Sequence, residues 1–273
     1  MRSQGQLNGL AGRPQGKLDV PDIRHREPVM SAVASTFIRP RFYLFVSIAL
    51  VSLVVIGFFR SYYSRILTDP PPLTTLLHVH AAVFTIWLAL FLVQAGLVAV
   101  NRVDLHRKLG IASAAFAMLV FSIGVLAVFQ TAISNHVSPS GLAPPQFSIV
   151  GFTTIGLFGA FIILGVAFRR RAALHKRFMI LAMIASISPA TARLLRLLDV
   201  QPHRDVLIPL CAGLFIAACM AYDWRKHHVI HPVYVIGGLV IIASWPLRLM
   251  VGRSDWYFPI GEGVARIARG IFG

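Results

Sequence analysis

The feature that most constrains this chain is the spacing of its charges. Six stretches run for at least 17 residues without Asp, Glu, Lys or Arg: 42–59, 73–100, 109–146 (broken by a turn-rich loop), 146–168, 206–222 and 229–247. A seventh, 178–195, is interrupted only near its end by Arg193. About 20 apolar helical residues cross the roughly 30 Å of bilayer hydrocarbon. Loops without internal hydrogen bonding cannot lie in lipid. The expected fold is therefore an all-α polytopic membrane bundle of about seven transmembrane helices. With 56% hydrophobic and 13% charged residues, the chain holds more apolar surface than a soluble core of 273 residues can hide.

The formal net charge of +16 invites a nucleic-acid reading, but the charges sit between apolar spans and not on a soluble domain. They read better as a topology signal. Short loops on one side carry ten Lys and Arg, at 102–108, 169–177 and 225–226; those on the other carry five, at 60–72 and 193–205. The positive-inside rule then places the N-terminus in the cytoplasm and the C-terminus outside.

Three regions follow. Residues 1–35 are polar, rich in Gly, Gln, Arg and Pro, and read as a disordered cytoplasmic tail. No cleavable signal is evident, and Met30 competes with Met1 as the start. Residues 36–254 form the seven-helix domain, with Asp69–Pro72 and Ser138–Pro145 as external turns. Residues 255–273 place Ile260, Val264, Ile267 and Ile271 at helical spacing with Arg266 and Arg269 elsewhere, the pattern of a short external amphipathic helix on the membrane surface. Cys211 and Cys219, eight residues apart on one helix, cannot bridge and read as small packing residues.

One internal repeat is visible. Arg102-Val-Asp-Leu-His106-Arg107-Lys108 and Arg171-Ala-Ala-Leu-His175-Lys176-Arg177 share R-x-x-L-H-basic-basic, 69 residues apart, and each opens a span from the cytoplasmic side. A duplicated two-helix unit would produce it, though basic loop residues also recur by chance.

The chemistry-bearing residues lie at span ends. None of the ten histidines sits at the middle of a span. On the cytoplasmic rim are His106, His175, His227, His228 and His231; toward the outer ends are His78 and His80, with His136 and His203 in loops. His78 and His80 point about 200° apart on a helix and cannot share one metal, whereas His80 and Gln94, 14 residues apart, share a face. Arg193, Arg196 and Arg248, near the outer ends, either snorkel to headgroups or, with His78, His80, Asp199 and Trp245, hold an anionic or quinone-like ligand.

Asp223 followed by His227-His228-x-x-His231 resembles the iron boxes of membrane desaturases, of which this chain has one and not the usual three. His106 and His175 satisfy the two-helix pairing that haem b requires, although they lie among basic residues at headgroup level. Alternatively, these basic clusters contact anionic lipid phosphates. No lysine occurs in the last span for a retinal Schiff base, and no Walker loop, C-x-x-C pair or G-x-S-x-G elbow appears.

Leu77-His78-Val-His80, Leu105-His106-Arg107-Lys108-Leu109-Gly110, His175-Lys176-Arg177, Asp223, His231-Pro232 and Gly237-Gly238 together resemble a family of bacterial multipass membrane proteins with no assigned reaction. The resemblance covers most of residues 40–255. It implies a bacterial inner-membrane location and makes His80, His106, His175, Asp223 and His231 candidates for a shared function. A looser similarity links the chain to cytochrome b561-like redox proteins, whose histidines lie deeper.

The leading expectation is thus an inner-membrane protein holding haem, a metal such as iron, or a quinone through His78, His80, His106, His175 and His231. A second is an accessory subunit packing against membrane lipids and other membrane subunits through Gly151, Gly156, Gly159 and Gly165. A third is a small-molecule transporter.

Overall fold

The computed structural model describes residues 41–68, 73–135, 138, 140–200 and 202–273. The tail at 1–35, the Asp69–Pro72 turn, His25 and His136 lie outside the described residues. Among the described residues there are nine α-helices, one short 3-10 helix at Tyr63–Leu67 and no strand. The α-helices are α1 (Phe42–Phe59), α2 (Thr75–Ala99), α3 (Val103–Ala132), α4 (Pro144–Ala167), α5 (Ala172–Ser186), α6 (Ser188–Leu197), α7 (Arg204–His227), α8 (Pro232–Arg253) and α9 (Phe258–Phe272).

Six of them are long and apolar enough to cross a membrane, and α5 with α6 makes a seventh span if the bent pair is counted as one. The expected seventh span corresponds to this pair, which bends by 44° at Ile187. The cause is local. Pro189 has no N–H to continue the helical ladder, and its ring crowds the preceding turn. Large apolar side chains such as Ile111, Ile163 and Leu239 are about 70% exposed or more on the bundle surface. Surfaces of that kind belong against lipid.

Helix α5 is the centre of the bundle. Every residue from Ile180 to Ala185 is at most 3% exposed, so this turn and a half is buried on all sides and not along one stripe. Packed around it are α4, α8, α7 and α1, while α2 and α3 complete the bundle against each other and against α4. Close approach depends on glycines. Gly57 of α1 lies against the Ala190 backbone at the start of α6, and Gly237 of α8 accepts Leu181 and Phe161.

Helix α9 is present as expected, but its contacts differ from those its bulky residues suggest. It buries the small residues Gly261, Ala265 and Ala268 and packs on α4 and α3. Gly261 sits against the Pro145 carbonyl, and the Tyr257 and Ser148 hydroxyls meet at 2.9 Å. Ile260, Ile267 and Ile271 face outward, because the small face is the one that lets two backbones approach. The glycines of α4 are mostly used inside the chain: Gly151, Gly159 and Gly165 face Val128, Phe121 and Met179, and Gly156 alone has open space beside it.

Candidate functional site

Helices α3 and α5 begin, and α7 ends, at the same end of the bundle, and the chemistry collects there. Asp104 opens the first turn of α3, where a carboxylate suits the helix N-terminus. His106 and His175 occupy equivalent positions, each four residues into its helix. Their rings stand with centroids 6.0 Å apart and planes crossing at 74°. The repeated sequence motif thus converges on a single pair.

Each imidazole is held by the helix that precedes its own. His175 Nδ1 lies 2.8 Å from the Gly165 carbonyl of α4. A carbonyl only accepts, so Nδ1–H donates and the Nε2 lone pair is left free. The Gln94 amide of α2 donates to His106 Nδ1 at 2.6 Å and to the His106 carbonyl at 3.2 Å; its oxygen accepts from Gly110 N–H at 3.1 Å and lies 3.1 Å from Ser113 Oγ. The amide orientation is assigned from these partners; the opposite one leaves its nitrogen donating to Ser113 Oγ at 3.1 Å. In the assigned orientation His106 Nδ1 is an acceptor and the ring proton sits on Nε2. The pair presents one donor and one acceptor.

This arrangement bears on the groups expected here. Two imidazoles sharing one metal ion, at about 2 Å per nitrogen, stand with ring centres about 6 Å apart, so the spacing suits an iron or haem centre. The His175 tautomer suits it too. The His106 tautomer does not, because Nε2 would have to carry a lone pair; reversing Gln94 to permit this would set its NH2 against Gly110 N–H. The hydrogen-bonding roles of the two rings match a ligand carbonyl or hydroxyl oxygen.

A second polar centre lies at the same end. Arg177 of α5 and Asp223 of α7 form a two-pronged ion pair, Nε to Oδ2 at 3.0 Å and Nη2 to Oδ1 at 2.7 Å, with side chains 4% and 0% exposed. Arg177 also donates to the Ala173 carbonyl at 2.6 Å and lies over the Tyr234 ring. Lys176 Nζ stands 4.7 Å from the Tyr43 ring centre. The Tyr43 and Tyr234 hydroxyls are buried beside the pair with no hydrogen bond of good geometry. Asp223 is therefore engaged by Arg177, and sequence reasoning missed this partner. The run of basic residues after His175 was the only signal for it.

The remaining candidates are dispersed. His231 caps α8, its Nδ1 accepting from Val233 N–H at 3.2 Å. His227 and His228 are exposed on the C-terminal turn of α7, where His228 adopts a left-handed conformation, φ 54°. Among the described residues no three His, Cys, Asp or Glu gather where they could hold a metal. At the far end, His78 is exposed beside Tyr62, and His80 packs on Phe84 with Nδ1 buried and unpartnered. Gln94 serves His106 and not His80. Arg193 donates to the Pro189 carbonyl and lies over the Phe58 ring at 4.3 Å; Arg196 is exposed; Arg248 is buried.

His231 yields a pH-dependent expectation. Burial, and then the Arg177 guanidinium, hold its imidazole below the ordinary 6.5; Lys176 acts in the same direction and Asp223 against it. The cap needs an unprotonated Nδ1, so its stabilisation is complete above 6.5 and is lost as pH falls through the lower folded value. Acidification is expected to remove about 1 kcal/mol, the usual worth of a cap. Substituting His231→Asn keeps a cap at both pH values, so the difference between thermal unfolding curves of the two proteins should widen as pH falls from about 7.5 to about 5.

The fold and this histidine end define a polytopic helical membrane protein with paired imidazoles held at one end of its bundle. No protein-family model, curated protein or solved structure matches the chain.

Proposed function

We propose that this is a multipass protein of the bacterial inner membrane, with its N-terminus in the cytoplasm, that binds a quinone or quinol headgroup at the exposed edges of His106 and His175. The observation that carries the reading is the tautomer pair. His106 offers an Nε2–H to a carbonyl oxygen, and His175 offers an Nε2 lone pair to a hydroxyl. Both rings are partly exposed at the ends of apolar helices, a depth at which an amphiphilic headgroup rests. The opening turns of α3 and α5 bring Arg107, Lys108 and Lys176 to the same end of the bundle. Haem b, with both imidazoles on iron, is the second reading, and the 6.0 Å ring spacing favours it.

The test is an absorption spectrum of detergent-purified protein, oxidised and reduced, with metal analysis and solvent extraction of quinones from the same sample. Co-purified quinone should fall about tenfold in His106→Ala and again in His175→Ala while insertion is unchanged, as expected when one hydrogen bond to a ligand is lost. A Soret band with equimolar iron would replace quinone by haem. A colourless protein without extractable quinone would reduce the two histidines to a helix-packing contact.

A further inference from the structure

The two imidazoles are unequal as hydrogen-bonding groups, and the backbone sets the inequality. Gly165 lies in the last turn of α4, where helical carbonyls lack partners within the helix. The amides that follow it go elsewhere: Phe168 N–H bonds the Leu164 carbonyl and Arg169 N–H the Val166 carbonyl. His175 supplies the missing donor, its Nδ1 standing 2.8 Å from the Gly165 oxygen. Moving the ring proton to Nε2 would orphan that carbonyl and turn a nitrogen lone pair against it. His175 Nε2 is therefore held as an acceptor.

Among the described residues neither Nε2 has a partner, and both rings are partly exposed. The role of His106 depends on the Gln94 amide, whereas that of His175 does not. In the assigned orientation His106 Nε2 carries the proton; in the opposite one Nδ1 would carry it, and both rings would present lone pairs. An acceptor on His175 is common to both. The two redox forms of a quinone differ in what they offer such a pair. Quinone carbonyls only accept, so the oxidised form can answer His106 and never His175. Quinol hydroxyls donate and accept, so the reduced form can answer both rings.

Resting on the quinone or quinol reading of this pair, we infer that the site selects the reduced ligand, with His175 as the residue that sets the preference and the Gly165 carbonyl as the group that holds it in place. Quinol binds about tenfold more tightly than the quinone of the same headgroup, the usual cost of leaving one polar group at a binding site unmatched. By linkage the bound couple is easier to reduce, and its two-electron midpoint rises by about 30 mV.

The test uses the full chain in detergent under argon, with equilibrium dialysis against decylubiquinone and its quinol, and against menadione and its quinol as a second headgroup. For a headgroup that binds, the quinol is expected to hold about tenfold more tightly than the quinone. The dimethyl ether of the same quinol keeps both oxygens and loses both donors, so it should bind no more tightly than the quinone. His175→Gln presents an amide that donates as readily as it accepts, and should bring the two affinities within about twofold. His106→Ala should weaken both forms and keep the preference. Binding of neither form would overturn the quinone reading itself. Binding of both forms with equal affinity, or of the quinone more tightly, would leave that reading standing and overturn the preference. Should His175→Gln fail to fold, an ether held by the unsubstituted protein as tightly as the quinol would overturn it equally.

Discussion

Substituting Arg177→Ala is expected to destabilise the protein by about 3–5 kcal/mol, the usual cost of leaving half of a buried ion pair behind. The carboxylate of Asp223 is wholly inaccessible, and its two partners in the pair are both on Arg177. Removing the guanidinium strands that carboxylate at the bundle centre without its charge partner. Asp223→Ala strands the cation and should cost a similar amount. The double substitution Arg177→Met with Asp223→Leu removes both charges and fills much of the volume, so it should recover most of the loss. Thermal unfolding of the three variants and the parent in detergent measures these costs. If the single variants melted within a degree of the parent, the pair would be solvated and no core contact between α5 and α7.

The second large effect is expected at Gly57→Val. A Cβ added there would stand 2.9 Å from the Ala190 carbonyl carbon and closer still to its oxygen. Backbone cannot swing aside as a side-chain tip can, so α1 must move off α6. That movement uncovers the buried α1 residues Leu50 and Val51. The cost is about 3 kcal/mol, at the upper end of overpacking penalties. Gly96→Val on α2 is the control, because nothing lies within 4 Å of its Cβ position. A melting midpoint at Gly57→Val equal to that at Gly96→Val would mean that α1 and α6 do not touch as described.

Much of the architecture is legible along the chain. The limits of α1, Phe42–Phe59, coincide with its charge-free stretch, because lipid imposes one requirement on length and polarity that local sequence must meet alone. Pro189 carries the break between α5 and α6 in its missing N–H, although the run of apolar residues on either side conceals it. The repeat at 102–108 and 171–177 places His106 and His175 at equal depth, which helical rise alone dictates once both helices begin there.

Pairing across helices is a different matter. Gln94 shares a face with His80 by periodicity and yet bonds His106, since a helix pattern says which residues face the same way and nothing of what stands opposite. Asp223 sits within a histidine-rich run and instead meets Arg177, 46 residues earlier, because α5 and α7 pack at the bundle centre. His231, read as a ligand from its neighbours, spends its Nδ1 on the first turn of α8.

The amino-acid sequence by itself determined the number of spans, their ends and the level of the polar residues, for these follow from one helix meeting the bilayer. Only the tertiary structure decided which polar groups are satisfied and which remain open, among them the His175 Nε2 and the Trp245 indole. A hydrogen bond between helices depends on their relative rotation and separation, and the packing of the whole bundle sets both.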